Sequence, residues 1–208
     1  MLTRSTRFAI AIVLWALAHP GAAVAGPYED GVSAFRDQDY TAAIDLWRPL
    51  AEKGDGRAQA RMAELYLSGR GVLRNYAEAL FWCQQGADQG EARAQYVLAS
   101  MYRDGKGVPK DALQAIELFR KAADQDFHWA QYKLGLMYFT GEGGRPDYLK
   151  AYHWLSLAAN AHDSDAPDDA EVRSTAPFLL DAVAAKMTPE QIREAKQRID
   201  EWKPTRTR

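Results

Sequence analysis

The sequence predicts an all-α protein, a right-handed α-solenoid of helix-turn-helix repeats closed by a C-terminal pair of capping helices. Two observations carry that prediction. The first is a fixed period: a shift of 36 residues superimposes Ala58-Gln59 on Ala94-Gln95 and on Ala130-Gln131. The same shift aligns Tyr66, Tyr102 and Tyr138, and the glycine pairs Gly69/Gly71, Gly105/Gly107 and Gly141/Gly143. Asp39, Asn75, Asp111 and Asp147, with Ala43, Ala79, Ala115 and Ala151, extend the register to a fourth copy. A fixed period of this length is the mark of stacked repeats, none of which can bury its apolar face alone. The second observation is that small and apolar residues fall at helical spacing inside each copy.

Taken in order, residues 1–25 stand apart from the fold. Arg4 and Arg7 precede an apolar run of 11 residues over 8–18, Pro20 and Gly21 break it, and Ala23-Val24-Ala25 follows. This is the layout of a secretory signal peptide, with the mature chain expected to start at Gly26. The run is shorter than the ~20 apolar residues a spanning helix needs. The expectation is therefore a periplasmic protein, with secretion as the second destination and no stable membrane insertion after cleavage.

Residues 26–57 read as a degenerate first repeat. Its first helix is short, about 28–36, and Asp37-Gln38-Asp39 stands where the later copies have glycines. Asp39 should cap a second helix with the stripe Ala43, Leu46, Trp47 and Leu50, which Pro49 should bend. Full copies follow at 58–93, 94–129 and 130–165. In the copy that starts at 94, Ala94, Leu98, Ala99, Met101 and Tyr102 make one helical face. Ala63, Ala99 and Gly135 share a place where only a small side chain lets two helices approach closely. The Gly-x-Gly supplies positive φ for the turn, and Asp111 caps a helix carrying Ala115, Leu118, Phe119 and Ala122.

The period fails after Asn160. Residues 166–208 read as capping helices and a tail, entered through an acidic, turn-rich stretch at 162–169. A helix over 178–187 should bury Phe178, Leu179, Ala182, Val183 and Met187. Thr188-Pro189-Glu190-Gln191 then has the form of a capping box for a last helix with Ile192, Ala195, Ile199 and Trp202. Residues 203–208 should fray.

The pattern Ala-x-x-x-Leu-Ala/Gly-x-x-Tyr-x-x-Gly-x-Gly-Val, then Asp-x-x-x-Ala and Ala-Ala, resembles the Sel-one-like repeat (SLR) family, relatives of the tetratricopeptide repeats. The resemblance covers roughly residues 39–160. It implies an α-helical superhelix that serves as an adaptor for other proteins, often in bacterial envelopes. Some secreted members staple each repeat with a cysteine pair; this chain has one cysteine, Cys83, and lacks the pairs.

The residues point away from catalysis, so no catalytic, metal or cofactor site is expected. His128, His153 and His162 are too far apart along the chain to share a helical turn as a zinc pair would. Asp163 and Asp165 begin like a calcium loop, but Asp168 stands where glycine is needed and Ser174 where the bidentate glutamate is needed. No Gly-x-Ser-x-Gly elbow or phosphate-binding glycine loop occurs. Lys and Arg total 26 against 28 Asp and Glu, no basic face emerges, and nucleic acid is not an expected partner. Buried in a repeat helix, Cys83 should act as a small hydrophobe.

In tetratricopeptide-like folds the first helix of each pair lines the inner surface. Carried over by position, that surface shows Ala60, Glu64 and Leu67, then Tyr96, Ser100 and Arg103, then Tyr132, Leu136 and Phe139. Exposed aromatics beside an arginine are what binding hot spots are made of. The expectation is a protein or peptide site formed by Glu64, Tyr96, Arg103, Tyr132, Leu136 and Phe139. The alternatives are a C-terminal fold-back that covers the third copy's residues, or a cell-wall-binding protein or envelope enzyme that uses the same groove. The oligomeric state is not readable.

Overall fold

The computed structural model describes residues 26–160 and 170–205; residues 1–25, read above as a signal peptide, and the acidic stretch at 161–169, His162 included, lie outside them. Among the described residues the chain forms ten helices and no strand. They are α1 (Pro27–Arg36), α2 (Tyr40–Glu52), α3 (Gly56–Ser68), α4 (Tyr76–Asp88), α5 (Ala92–Asp104), α6 (Ala112–Ala123), α7 (His128–Thr140), α8 (Tyr148–Ala159), α9 (Ala170–Ala184) and α10 (Pro189–Glu201). From α1 to α9 each helix packs on its chain neighbours, α10 packs on α8, and α3 also touches α5 directly, which is the stacking that a solenoid requires.

The repeat register is a set of caps. Asp39, Asn75, Asp111 and Asp147 each accept backbone N–H bonds from the first turn of the helix that follows, at 2.9–3.2 Å. At the other end, Gly69, Gly105 and Gly141 close α3, α5 and α7 with φ between +70° and +75°. The second glycine of each turn has a separate task. A Cβ on Gly107 would lie 2.9 Å from Tyr76 Cβ on the preceding copy's α4, so the turn touches its neighbour only because that atom is absent.

The recurring glutamines stitch copies together. Gln59 Nε2 donates to the Ala51 carbonyl at 3.1 Å and Gln131 Nε2 to the Ala123 carbonyl at 3.3 Å, both through buried side chains. Across copies, Gln89 donates to Gln59 Oε1 at 2.8 Å and Gln125 to Gln95 Oε1 at 2.9 Å. Buried amides must find partners, and these bonds tie the start of each first helix to the ends of second helices. Gly135 packs against Leu155 of α8; a Cβ there would meet Leu155 Cγ at 2.7 Å.

Both ends depart in detail from the sequence expectation. In α2, Ile44 and Ala51 join Ala43 and Trp47 in the core, whereas Leu46 and Leu50 are only half-buried. Trp47 lies against Gly31 and donates its indole N–H to the Tyr28 carbonyl at 3.0 Å. At the C-terminus, α9 starts at Ala170 and not at Phe178. It buries Val172, Ala176 and Val183, while Phe178 is 77% exposed and Ala182 is exposed. Of the expected stripe Val183 is buried and Leu179 and Met187 are half-buried, so the packed face is turned only partly away from it. The capping box of α10 forms with Thr188 and Gln191 as read. Helices α9 and α10 both pack on α8 and cover the end of the stack. The tail does not fray at once: Trp202 stands edge-on to Trp154, and Thr205 N–H donates to the Asp124 carbonyl at 2.7 Å.

Cys83 is fully buried, and burial pushes its thiol up to about 12.

Candidate functional site

Four first helices and their turns enclose a groove of about 490 Å³, lined from α1, α3, α5 and α7. Of the residues expected from sequence, Glu64, Tyr96 and Arg103 line it together, with Leu67 and Ser100 between them. The helical spacing that selected those positions also set them on one side of the stack.

Tyr132, Leu136 and Phe139 are not among its lining residues. Tyr132 and Phe139 instead pack against the buried cluster that α8, α9 and α10 form with Val183 and Ala195, and Phe139 sits 6.2 Å from the Tyr148 ring. Leu136 is half-buried. The C-terminal helices occupy the ground where the inner aromatic stripe of the third copy would have continued.

The groove gathers charge that a linear reading does not reveal. Arg61, Arg70, Arg93, Arg103, Lys106 and Lys133 line it against two carboxylates, Glu64 and Asp104. The expectation that no basic face emerges is therefore corrected. Each first helix and turn has mixed sign, and only stacking brings the cations to one side.

Two carboxylates hold four of these cations. Glu64 accepts from Arg61 at 3.1 Å and from Arg93 at 3.0 Å, bridging α3 and α5. Burial would raise the Glu64 carboxyl, but Arg93 and Arg61 outweigh it and hold the group below the ordinary carboxylate range. Asp104 accepts from Arg103 and Lys106, both at 2.8 Å. Lys133 is different. Its Nζ lies 5.5 Å from the Trp129 ring centre and 5.4 Å from that of Tyr132, and it forms no ion pair among the described residues. Burial, and then the like charge of Arg103, holds its ammonium below the usual lysine range.

Aromatic rings make the other wall. Tyr96 has ring neighbours at Phe119 (5.6 Å), Phe127 (5.4 Å) and Trp129 (6.4 Å). Burial, then the Glu64 charge, pushes its hydroxyl up to about 12, so it stays a neutral donor at physiological pH. Arg93 stacks over Phe127 at 5.2 Å. Sequence reasoning missed Arg61, Arg93, Phe127, Trp129 and Lys133. A usable signal exists: 93, 96, 100 and 103 form one helical face, and the columns 57/93/129 and 61/97/133 change residue type inside an otherwise constant register.

As chemistry, the groove offers charge-assisted hydrogen bonds and ring faces. Among the described residues no group of three His, Cys, Asp or Glu side chains is placed to hold a metal ion, and no helix is long and apolar enough to cross a membrane.

Comparison with known proteins agrees with the architecture. The family model for the Sel1 repeat matches residues 22–55, 56–91, 92–127 and 130–163. A Sel1 repeat protein from Oxalobacter formigenes has a similar structure, with TM-score 0.57 and 30% identity over 65% of this chain and 56% of that one. The c5321 protein, a protective antigen of uropathogenic Escherichia coli strains with an SLR fold, matches with TM-score 0.53 and 24% identity. That match covers 85% of this chain and 44% of that one. The chain thus spans about half the length of these relatives. No curated protein matches it. Four repeat copies with their caps and glycine turns, matched by one family model over most of the chain, make this protein a member of the Sel1 repeat family, whose helical arrays typically mediate protein–protein interaction.

Proposed function

We propose that the protein is a non-enzymatic scaffold of the periplasm that binds a segment of another protein in the groove of its first helices. The observation that carries this reading is the convergence of Tyr96, Phe127 and Trp129 with Arg93 and Arg103 in one groove of about 490 Å³. Aromatic and arginine side chains at the centre of a concavity are the residues that supply most of the binding energy at protein interfaces. Membership in a family of interaction scaffolds supports it further. Export rests on the basic, apolar and small-residue regions of residues 1–25, and intact-mass measurement of the periplasmic form should find a chain starting at Gly26.

A photoreactive side chain tests the groove. Placed at Ser100, on its floor, it should cross-link a partner protein in envelope extract. Placed at Phe81, exposed on a second helix, it should not. Cross-linking from Phe81 alone would move the site to the opposite face.

A further inference from the structure

The groove carries a sign opposite to that of the chain. The whole sequence has net charge −2, yet this one concavity sets six cations against two carboxylates. Those two carboxylates are already engaged, each by two cations. What remains is positive charge beside aromatic rings, with Lys133 over two ring faces and in no ion pair among the described residues.

We propose that the ligand is an acidic, aromatic-bearing protein segment that seats one carboxylate between Arg103 and Lys133 and lays its rings on Tyr96, Phe127 and Trp129. The proposal rests on the groove reading above and names the partner's chemistry. Arg103 and Lys133 belong to consecutive copies and line the same groove. A carboxylate between them would relieve like-charge repulsion and accept charge-assisted bonds from both. Partial burial strengthens such contacts relative to open water.

A polynucleotide fits less well. Its backbone carries a negative charge at every residue, and it would have to pass both Glu64 and Asp104, which share this groove. A peptide can set neutral or aromatic residues at those two points. The acidic balance of the chain as a whole also repels a long polyanion at a distance.

The test is fluorescence anisotropy on the mature chain with a labelled peptide in which aspartate and glutamate alternate with tyrosine and leucine. Its comparison peptide has asparagine and glutamine at the acidic positions, and an oligothymidylate of equal charge is the third probe. The acidic peptide should bind, and added salt should weaken it. The amide peptide, or the acidic peptide with Lys133→Gln or Arg103→Gln, should bind at least about tenfold more weakly. Combining Lys133→Gln with the amide peptide should cost less than the two losses together, because both remove one contact. Circular dichroism and melting confirm that the variants are folded. Equal affinity for the two peptides, tighter binding of the oligothymidylate, or no binding of the acidic peptide at about 1 mM would each overturn the proposal. If the Ser100 cross-link forms while the peptides show no acid preference, the groove reading stands and only its chemistry falls.

Discussion

Adding one methyl group at Gly135 measures how closely the repeat helices must approach. Gly135 lies inside α7 and is fully surrounded, and its backbone does not need positive φ. A Cβ built there stands 2.7 Å from Leu155 Cγ, 3.1 Å from Leu155 Cδ2 and 3.1 Å from the Leu155 backbone nitrogen. Carbon atoms in good contact sit about 3.5–4.0 Å apart, so the gap is short by roughly 1 Å. The Leu155 side chain could turn away, but its backbone nitrogen cannot move without α8. Two effects then compete. Glycine to alanine inside a helix gains up to about 1 kcal/mol from propensity. Overpacking a well-filled interface costs about 1–3 kcal/mol. The clash should win, and Gly135→Ala should lose about 1 kcal/mol, a fall in Tm of about 2–4 °C for a chain of this size. Gly144→Ala is the control, since nothing lies within 4 Å of its added atom. Urea denaturation followed by circular dichroism reads both variants. A Gly135→Ala protein as stable as its parent, or more so, would refute close approach as the reason for a small residue at positions 63, 99 and 135.

Three other outcomes follow from the same structure. Glu64 has a folded-state carboxyl held below its ordinary value of 4.5, burial opposing and Arg93 with Arg61 prevailing. Its stabilising contribution is therefore complete above about pH 4.5 and is lost as pH falls through the lower folded value. Glu64→Gln should be less stable at pH 7 and show a flatter acid decline, as urea titrations at pH 7 and pH 3.5 would show. Tyr132→Ala and Phe139→Ala, which remove rings packed on the α8–α10 cluster, should each cost about 2 kcal/mol, less than a fully buried aromatic would. They should also speed amide exchange in α9 and α10. Cys83, buried with its thiol pushed up to about 12, should resist alkylation at pH 8 until the chain is unfolded. Mass spectrometry with and without urea checks it.

The fold was legible because its constraints are local and repeated. Asp111 and its equivalents announce caps, and the Gly-x-Gly turns announce helix ends, without any tertiary knowledge. Helix α9 was less legible: its stripe of Val172, Ala176 and Val183 is interrupted by Pro177 and by the exposed Phe178. Part of the groove could be read, since Glu64, Tyr96 and Arg103 follow from the inner-face spacing. Arg93 shares a helical face with 96, 100 and 103, but nothing in the spacing groups it with Arg61 and Lys133. Their common charge exists only after the first helices are stacked, and in the linear sequence Arg61 and Arg93 each sit within three residues of a glutamate. Tyr132 and Phe139 occupy inner-face positions by register, and what they meet depends on where the helices after the repeats come to lie. Periodicity carries no information about that.

The most direct test of acidic-segment binding in the groove is amide chemical-shift mapping of isotopically labelled residues 26–208 during titration with the acidic, aromatic peptide. Saturable shifts should concentrate at residues 61–70, 93–104 and 127–133, with the largest at Tyr96, Ser100, Arg103 and Lys133. Lys133→Gln should remove most of them. Saturable shifts confined to α2, α4 and α6, or to α9 and α10, with the groove amides unmoved, would contradict binding in the groove.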